Sequence, residues 1–164
     1  MNKVFKPTHV YKNINELDFD SFINDGYNTL ILDADNTLVP YYEKNSDAIL
    51  INFLKELQKK GFKVIIMSNN FRKKGLYKDC LKLSIKYYSF SLKPLKMAYF
   101  KAIRENKIDV SKTIQIGDQI LTDVVGANRI GIKSIYIEPL IDKDNIFTIV
   151  NRKIEKIIKK ELGI

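Results

Sequence analysis

Short apolar runs alternate along the chain with amphipathic stretches of helical length. Several of these runs are apolar on both faces, which is typical of strands buried in a parallel sheet. The predicted strands cover residues 29–33, 63–70, 86–91, 113–118 and 133–139. Because stretches of helical length separate the strands, the pattern predicts an α/β fold in which helices cover both faces of a doubly wound parallel sheet.

The clearest helix covers residues 46–60. Its apolar residues recur at steps of three and four, at Ile49, Leu50, Phe53, Leu54 and Leu57. Ser46 is the predicted N-cap, and Gly61 is the predicted residue just beyond the end of the helix. Further helices are predicted at about 72–83, from Pro94 onward, and at about 122–130.

The two ends of the chain carry their own helical patterns. In the N-terminal arm, residues 1–27, we predict one short helix that contains Leu17, Phe19, Phe22 and Ile23. In the C-terminal segment, residues 146–164, the predicted helix is amphipathic and basic. Its apolar face is Val150, Ile154, Ile157, Ile158 and Leu162, and its other face is Arg152, Lys153, Lys156, Lys159 and Lys160. Such a helix either covers a face of the sheet or lies on a membrane surface.

Length and composition narrow the classes of function. At 164 residues, with 45% hydrophobic and 29% charged residues, the chain is predicted to be one globular domain without a membrane span. His9 is the only histidine and Cys80 the only cysteine. This excludes an internal disulfide and a His/Cys zinc site, and with the lack of a secretory signal it favours the cytoplasm. The net charge of +9 favours anionic partners, although a genomic base bias would produce the same composition.

Polar side chains of the types used in catalysis and ligand binding follow four of the predicted strands. Asp33 and Asp35 follow the first strand, and Ser68, Asn69 and Asn70 end the second. Lys93-Pro94 comes after the third, and Asp118 follows the fourth, with Asp123 five positions later. Each of these pieces alone has an ordinary explanation as a turn, a cap or a solvated lysine. Their joint occurrence at strand ends is specific, because ligands of open parallel sheets bind beyond those ends.

Asp33 and Asp35 raise an electrostatic question, since like charges so close together repel. Together with Asp118, they can converge if a hard divalent cation lies among them, and Mg²⁺ uses one or two carboxylates plus phosphate oxygens. Residues two apart in an extended chain point the same way, so both aspartates can face one site. One of them can then attack phosphorus while the other handles the proton.

The motifs DADNTLV, SNN, KP and GDQILTD, in this order, resemble the four motifs of the haloacid dehalogenase (HAD) phosphatases. The resemblance covers about residues 18–152. The fuller set DADNTL, IMSNN, LKP and IGDQILTDVVGANR resembles the YqeG family of subfamily IIIA phosphatases, which are related to phosphatidylglycerophosphate phosphatases. One mild departure is Ala34, where these enzymes often have a bulkier residue.

The resemblance implies a Rossmann-like fold and a role for each matching residue. Asp33 is the expected nucleophile, which forms an aspartyl phosphate, and Asp35 is the expected general acid and base. Ser68, Lys93 and, with less weight, Asn69 are the expected phosphate-binding residues. The expected Mg²⁺ ligands are the Asp33 side chain, the Asp35 main-chain carbonyl and Asp118, with Asp123 as an indirect partner.

The short connection at residues 37–45 leaves little room for an inserted cap domain, so we expect an open site. The resemblance then points to phosphatidylglycerophosphate at the inner face of the membrane, with the basic C-terminal helix as a peripheral contact. A soluble nucleotide or sugar phosphate is the second interpretation. A non-enzymatic RNA or ribosome-assembly module is the third, and the clustered carboxylates disfavour it because a basic surface has no need of them.

Overall fold

A six-stranded, fully parallel sheet forms the centre of the computed structural model, which describes residues 3–40, 42–43, 46–70, 74–141 and 146–164. The strands are β1 (His9–Tyr11), β2 (Thr29–Leu32), β3 (Lys63–Met67), β4 (Lys86–Tyr88), β5 (Thr113–Gly117) and β6 (Lys133–Ile137). Their order across the sheet is β1-β6-β5-β2-β3-β4. The five predicted strands and their parallel arrangement are confirmed.

The order of the strands reverses beside β2. From β2 the chain proceeds outward through β3 and β4, then returns to place β5 on the other side of β2. Leu32 of β2 lies opposite Ile66 of β3 and Ile116 of β5. A crevice therefore opens beyond the carboxyl ends of β2 and β5, where open α/β sheets bind their ligands.

The helices are α1 (Phe19–Asn24), α2 (Ala48–Lys59), α3 (Lys74–Lys82), α4 (Lys96–Asn106), α5 (Val125–Asn128) and α6 (Ile146–Leu162). On one face of the sheet Leu30 and Leu32 pack in a core with Leu54 of α2 and Leu76 of α3. On the other face Ile31 packs in a core with Tyr99 of α4 and Ala127 of α5. Alternate side chains of β2 are thus buried on opposite faces, which confirms the predicted two-sided helical cover. None of the described helices is both long enough and apolar enough to cross a bilayer.

Three predicted helix starts differ from the structure. The N-cap of α2 is Asp47, not Ser46, because the Asp47 carboxylate accepts from the Leu50 amide at 2.7 Å while the Ser46 hydroxyl donates to Asp79. Pro94 stands in a turn two residues before α4, after a cis peptide bond. The helix predicted at 122–130 begins earlier, as a π-helical turn at Ile120–Val124 that continues into α5. Gly61 has φ +99°, as the predicted end of α2 requires.

The N-terminal arm contains the predicted short helix and a strand that sequence patterns did not reveal. Helix α1 contributes buried Phe19 and Phe22 to the core. Strand β1 pairs in parallel with β6 and extends the sheet by one edge strand. Its three residues are too few for a periodic signal, and none of them is buried.

Helix α6 packs on the body with a different face from the predicted one. Thr148, Glu155 and Ile158 are buried, whereas Val150, Ile154 and Ile157 are exposed. Arg152 and Lys159, assigned to the basic outer face, turn toward Asp118 and Glu138 of the body. Of the predicted apolar face, Ile158 and Leu162 pack on the body, whereas the other three residues do not cover the sheet.

Candidate active site

The loop after β2 brings Asp33 and Asp35 to the crevice. The Asp33 amide donates to the Ile116 carbonyl at 3.0 Å and so extends the pairing of β2 with β5 by one residue. The loop then folds back tightly, with the Leu38 amide on the Ala34 carbonyl and Asn36 in a left-handed conformation. Asparagine adopts the left-handed conformation at lower cost than most residues, which explains its place in the turn. The carboxylates of Asp33 and Asp35 are both buried.

Lys93 reaches across the site from the segment before α4. Its Nζ lies 2.6 Å from Asp33 Oδ1, 2.7 Å from Asp123 Oδ1 and 2.7 Å from the Met67 carbonyl oxygen. These partners satisfy all three N–H groups of the buried ammonium. Burial lowers the pKa of Lys93, but the charges of Asp123 and Asp33 outweigh it and the net pKa is above its ordinary value. Lys93 is therefore a permanent positive charge in the site.

The two carboxylate oxygens of Asp33 differ in their hydrogen bonding. Oδ1 accepts from Lys93, whereas Oδ2 is buried and has no hydrogen-bond partner among the described residues. Burial raises the pKa of Asp33 well above its usual range, Lys93 lowers it in part, and Asp123, Asp118 and Asp35 raise it further. A cation placed among these carboxylates would stabilise the ionised form of Asp33.

Asp118 and Asp123 come from the segment after β5. The Asp118 carboxylate accepts from the Thr37 hydroxyl at 3.1 Å and from the Arg152 guanidinium of α6. Burial raises its pKa to about 7, although Arg152 lowers it in part. Asp123 is fully buried and contacts Lys93 directly. It therefore belongs to the central charge cluster, and its predicted indirect role at the metal stays a prediction.

The acidic cluster fits a hard divalent cation. Asp33, Asp118 and Asp123 each offer a carboxylate oxygen, and these three atoms lie within 4.8 Å of one another. All three residues are buried, and Oδ2 of Asp33 has no hydrogen-bond partner among the described residues. Such an oxygen set is the donor chemistry that Mg²⁺ prefers.

Asp35, Ser68 and Asn69 come from the ends of β2 and β3, and hydrogen bonds fix their positions. The Ser68 hydroxyl donates to Asp35 Oδ2 at 2.8 Å and accepts from the Asn70 amide at 3.0 Å. The Asn69 side chain accepts from the Lys93 amide at 2.8 Å and donates to the Lys93 carbonyl at 2.9 Å. Ser68 thus orients Asp35, and Asn69 ties the backbone of Lys93 to the end of β3. Their predicted contacts with phosphate stay predictions.

A cavity of about 170 Å³ opens above these groups. Its lining includes Asp33, Asp35, Asn69 and Lys93 from the predicted set, and also Asn70, Gln119, Thr122, Thr148 and Asn151. The last two come from α6, which therefore forms part of the wall of the site. Ser68, Asp118 and Asp123 lie outside this lining.

Several functional neighbours were missed in the sequence. Thr37, within the DADNTLV motif, carried a local signal, because it follows the aspartates on the same turn. No sequence pattern indicated Thr148, Asn151 or Arg152, because the periodicity of α6 favours an apolar inner face. Their presence at the site depends on the rotation of α6, which only tertiary contacts determine.

Comparison with known proteins agrees with this geometry. Residues 92–138 match the HAD-hydrolase-like family model. The chain is 33% identical over 163 residues to a protein of Bacillus subtilis (strain 168) named probable phosphatase YqeG, with 99% of this chain and 94% of that protein aligned. This similarity extends over all of the site residues described above.

Solved structures show the same fold. An uncharacterized protein of Listeria monocytogenes serotype 4b superposes with a TM-score of 0.55 at 21% identity, covering 72% of this chain and 84% of that chain. The cobalt-bound deoxy-D-mannose-octulosonate 8-phosphate phosphatase YrbI of Haemophilus influenzae has a TM-score of 0.51 at 17% identity, with 76% of this chain and 74% of that chain covered. With its sequence, fold and clustered carboxylates in agreement, the chain belongs to the YqeG family of HAD-type phosphatases.

Proposed function

We propose that this phosphatase hydrolyses a phosphomonoester through a phosphoaspartate on Asp33, with Mg²⁺ as its cofactor. One observation carries the proposal: Lys93 holds Oδ1 of Asp33, while Oδ2 has no hydrogen-bond partner among the described residues and the residue lines the cavity. A carboxylate fixed by one oxygen, with the other free to react, is arranged as a nucleophile.

In the first step Asp33 attacks phosphorus, and the bond from phosphorus to the ester oxygen breaks. The proton of Asp35, whose carboxyl Ser68 orients, passes to the departing oxygen so that an alcohol leaves. In the second step a water attacks phosphorus of the phosphoaspartate, and Asp35 takes a proton from that water. The bond from phosphorus to the Asp33 oxygen breaks, so that inorganic phosphate leaves and the Asp33 carboxylate is restored. Lys93 balances negative charge on Asp33 and on the transferred group throughout.

The side chains of Asp33 and Asp118 and the main-chain carbonyl of Asp35 would hold Mg²⁺, with Asp123 beside them. When bound, the metal supplies positive charge that keeps Asp33 ionised and neutralises phosphate oxygens. Asp123 holds Lys93 in position toward Asp33.

The size of the cavity supports a substrate that remains largely outside it. At about 170 Å³ it is smaller than pockets that enclose a whole small molecule, which are typically about 300–1,000 Å³. A phosphate group fits, and the rest of the ester then lies at the mouth. This favours the headgroup of phosphatidylglycerophosphate at the cytoplasmic face of a membrane. The exposed Val150, Ile154 and Ile157 of α6, beside exposed Lys153 and Lys160, are suited to contact that surface.

The substrate is tested by phosphate release from phosphatidylglycerophosphate in mixed micelles, from nucleotides and from sugar phosphates, each with Mg²⁺ and with chelator. We expect the lipid to be hydrolysed with the highest kcat/KM, and only when Mg²⁺ is present. A soluble ester with a higher value would replace the lipid as substrate. Undiminished turnover in chelator would refute the metal requirement.

The intermediate is tested by acid quenching with a labelled aryl phosphate, whose leaving group needs little protonation. We expect label on the parent protein and more label on Asp35→Asn, because the second step then lacks its base. Asp33→Asn should carry none. Label retained by Asp33→Asn would place the nucleophile elsewhere.

A further inference from the structure

A patch of large apolar side chains is exposed beside the active site. Leu92, Leu95, Met97 and Phe100, here called the 92–100 patch, have 64%, 52%, 80% and 55% of their surface exposed. They belong to the segment that carries Lys93 and to the first turns of α4. Contiguous apolar surface of this kind marks an interaction site more often than isolated exposed residues do.

The patch is tied to the site by backbone hydrogen bonds. The Ser91 amide donates to the Ser68 carbonyl at 3.0 Å, and the Asn69 side chain forms its pair of bonds with the Lys93 backbone. These contacts attach the start of the patch to the residues that line the cavity. A surface that docks on the patch is therefore held in a defined position relative to Asp33.

The charged residues of the segment that carries the patch are all basic. Lys96, Lys101 and Arg104 are exposed on the same segment, and residues 89–104 contain no aspartate or glutamate. The next residue, Glu105, accepts a hydrogen bond from the Tyr88 hydroxyl. Exposed apolar side chains interleaved with basic ones are the pattern of segments that lie in the headgroup region of anionic membranes.

We propose that the 92–100 patch inserts into the surface of an anionic lipid bilayer and thereby presents the active site to a phosphomonoester borne by that bilayer. The proposal rests on the phosphatase function proposed above and adds the surface that meets the lipid. Pairing of the patch with itself in a symmetric dimer is less favourable, because it brings the same basic residues of two copies face to face. A bilayer rich in anionic headgroups complements them instead. The patch follows β4 and α6 follows β6, so the two segments follow strands on opposite sides of β2 and β5.

Sedimentation of the full chain with vesicles tests the proposal. We compare phosphatidylcholine vesicles with vesicles of phosphatidylcholine and phosphatidylglycerol, at low and high salt. The test variant is Met97→Ser/Phe100→Ser, and the matched control is Ile49→Ser, which replaces a residue 78% exposed on α2. A second variant, Val150→Ser/Ile157→Ser, reports on α6.

The parent should bind the anionic vesicles only, and less at high salt. Met97→Ser/Phe100→Ser should bind at least about tenfold more weakly, because two large apolar side chains lose their burial. Ile49→Ser should bind like the parent. Hydrolysis of p-nitrophenyl phosphate by the double variant should equal that of the parent, which shows that its fold and site are intact.

Three results would overturn the proposal: no binding of the parent to anionic vesicles, equal binding by Met97→Ser/Phe100→Ser, or loss of binding only in the α6 variant. The proposal is also overturned if the parent is a dimer and Met97→Ser/Phe100→Ser is a monomer with unchanged vesicle binding. The patch would then be a self-association surface. Patch-dependent binding supports the docking surface even if micellar phosphatidylglycerophosphate is not hydrolysed, in which case the substrate assignment alone fails.

Discussion

The ammonium of Lys93 lies 2.6 Å from the carboxylate of Asp33, although the two residues are 60 positions apart in the chain. Both side chains are buried, and Asp123 shares the same ammonium. One lysine therefore supplies the positive charge beside two buried aspartates.

Replacement of Lys93 by methionine should destabilise the fold. Two buried carboxylates then lose their counter-charge, a change that typically costs about 3–5 kcal/mol in the free energy of unfolding. Urea unfolding at neutral pH measures it, with Lys101→Met, at an exposed lysine, as the control. The deficit should shrink on acidification, because Asp33, whose pKa is raised by burial, then takes up a proton and loses its charge. An unfolding free energy equal to that of the parent would contradict the importance of the pair.

Asp33→Asn should abolish turnover without loss of stability. The change removes the nucleophile, so kcat should fall by at least about a thousandfold. Because burial and neighbouring acids raise the pKa of Asp33, the neutral amide relieves repulsion in the absence of metal. We expect a melting temperature equal to or above that of the parent, measured with chelator present. Asp25→Asn, at an exposed aspartate, should leave both quantities unchanged. A clear drop in melting temperature would show that the ionised form of Asp33 supports the fold.

Gly117→Ala should impair catalysis through Asp123. A Cβ at position 117 would overlap the Asp123 carboxylate, so that this side chain must move away from Lys93. Displacements of about 1 Å in such sites cost about a hundredfold in rate. Steady-state kinetics with p-nitrophenyl phosphate measures the effect, and circular dichroism verifies the fold. Parent-like kinetics would mean that Asp123 has another position available to it.

Arg152→Ala should tighten Mg²⁺ binding. The guanidinium engages Asp118, so it competes with the cation for the same carboxylate and adds positive charge to the site. Its removal should lower the Mg²⁺ dissociation constant by about tenfold. This change is a small part of the interaction energy between two unit charges at close range. Isothermal titration calorimetry without substrate is the measurement. Lys153→Ala, at the next position but exposed, should have little effect. Weaker binding in Arg152→Ala would show instead that the arginine orients Asp118 for the metal.

Glu155 should make the stability of the protein depend on pH. Burial raises the pKa of Glu155, and the Leu121 amide and Arg152 offset this in part. As pH rises past the ordinary value of 4.5, the folded state retains a proton that the unfolded state has released. This contribution to stability is therefore largest at low pH and is lost as pH approaches the raised pKa.

Glu155→Gln keeps an acceptor for the Leu121 amide but cannot titrate. The unfolding free energy of the parent, minus that of this variant, should therefore decline with rising pH above about 4.5. Denaturant unfolding between pH 4 and pH 8 tests the sign. A difference that rises over this range would show that Glu155 is stabilised as the anion.

The sequence by itself determined five of the six strands, the two-sided helical cover and the placement of chemistry at the strand ends. These features depend on local information: apolar periodicity sets burial, and a polar residue directly after a buried strand must emerge at the edge of the sheet. Asp33, Asp35, Lys93 and Asp118 were therefore predictable in type and position. Parallel pairing then brings strand ends together whatever the details of the helices.

Only the tertiary structure decided the strand β1, the direct contact of Asp123 with Lys93, and the face with which α6 meets the body. Periodicity placed Val150, Ile154 and Ile157 on one apolar face, but it did not reveal that Thr148, Arg152 and Glu155 would face the body. The reason is that buried Asp118 and the Leu121 amide require partners, and α6 can supply them. Such requirements arise between distant segments once the chain has folded, and no local pattern records them.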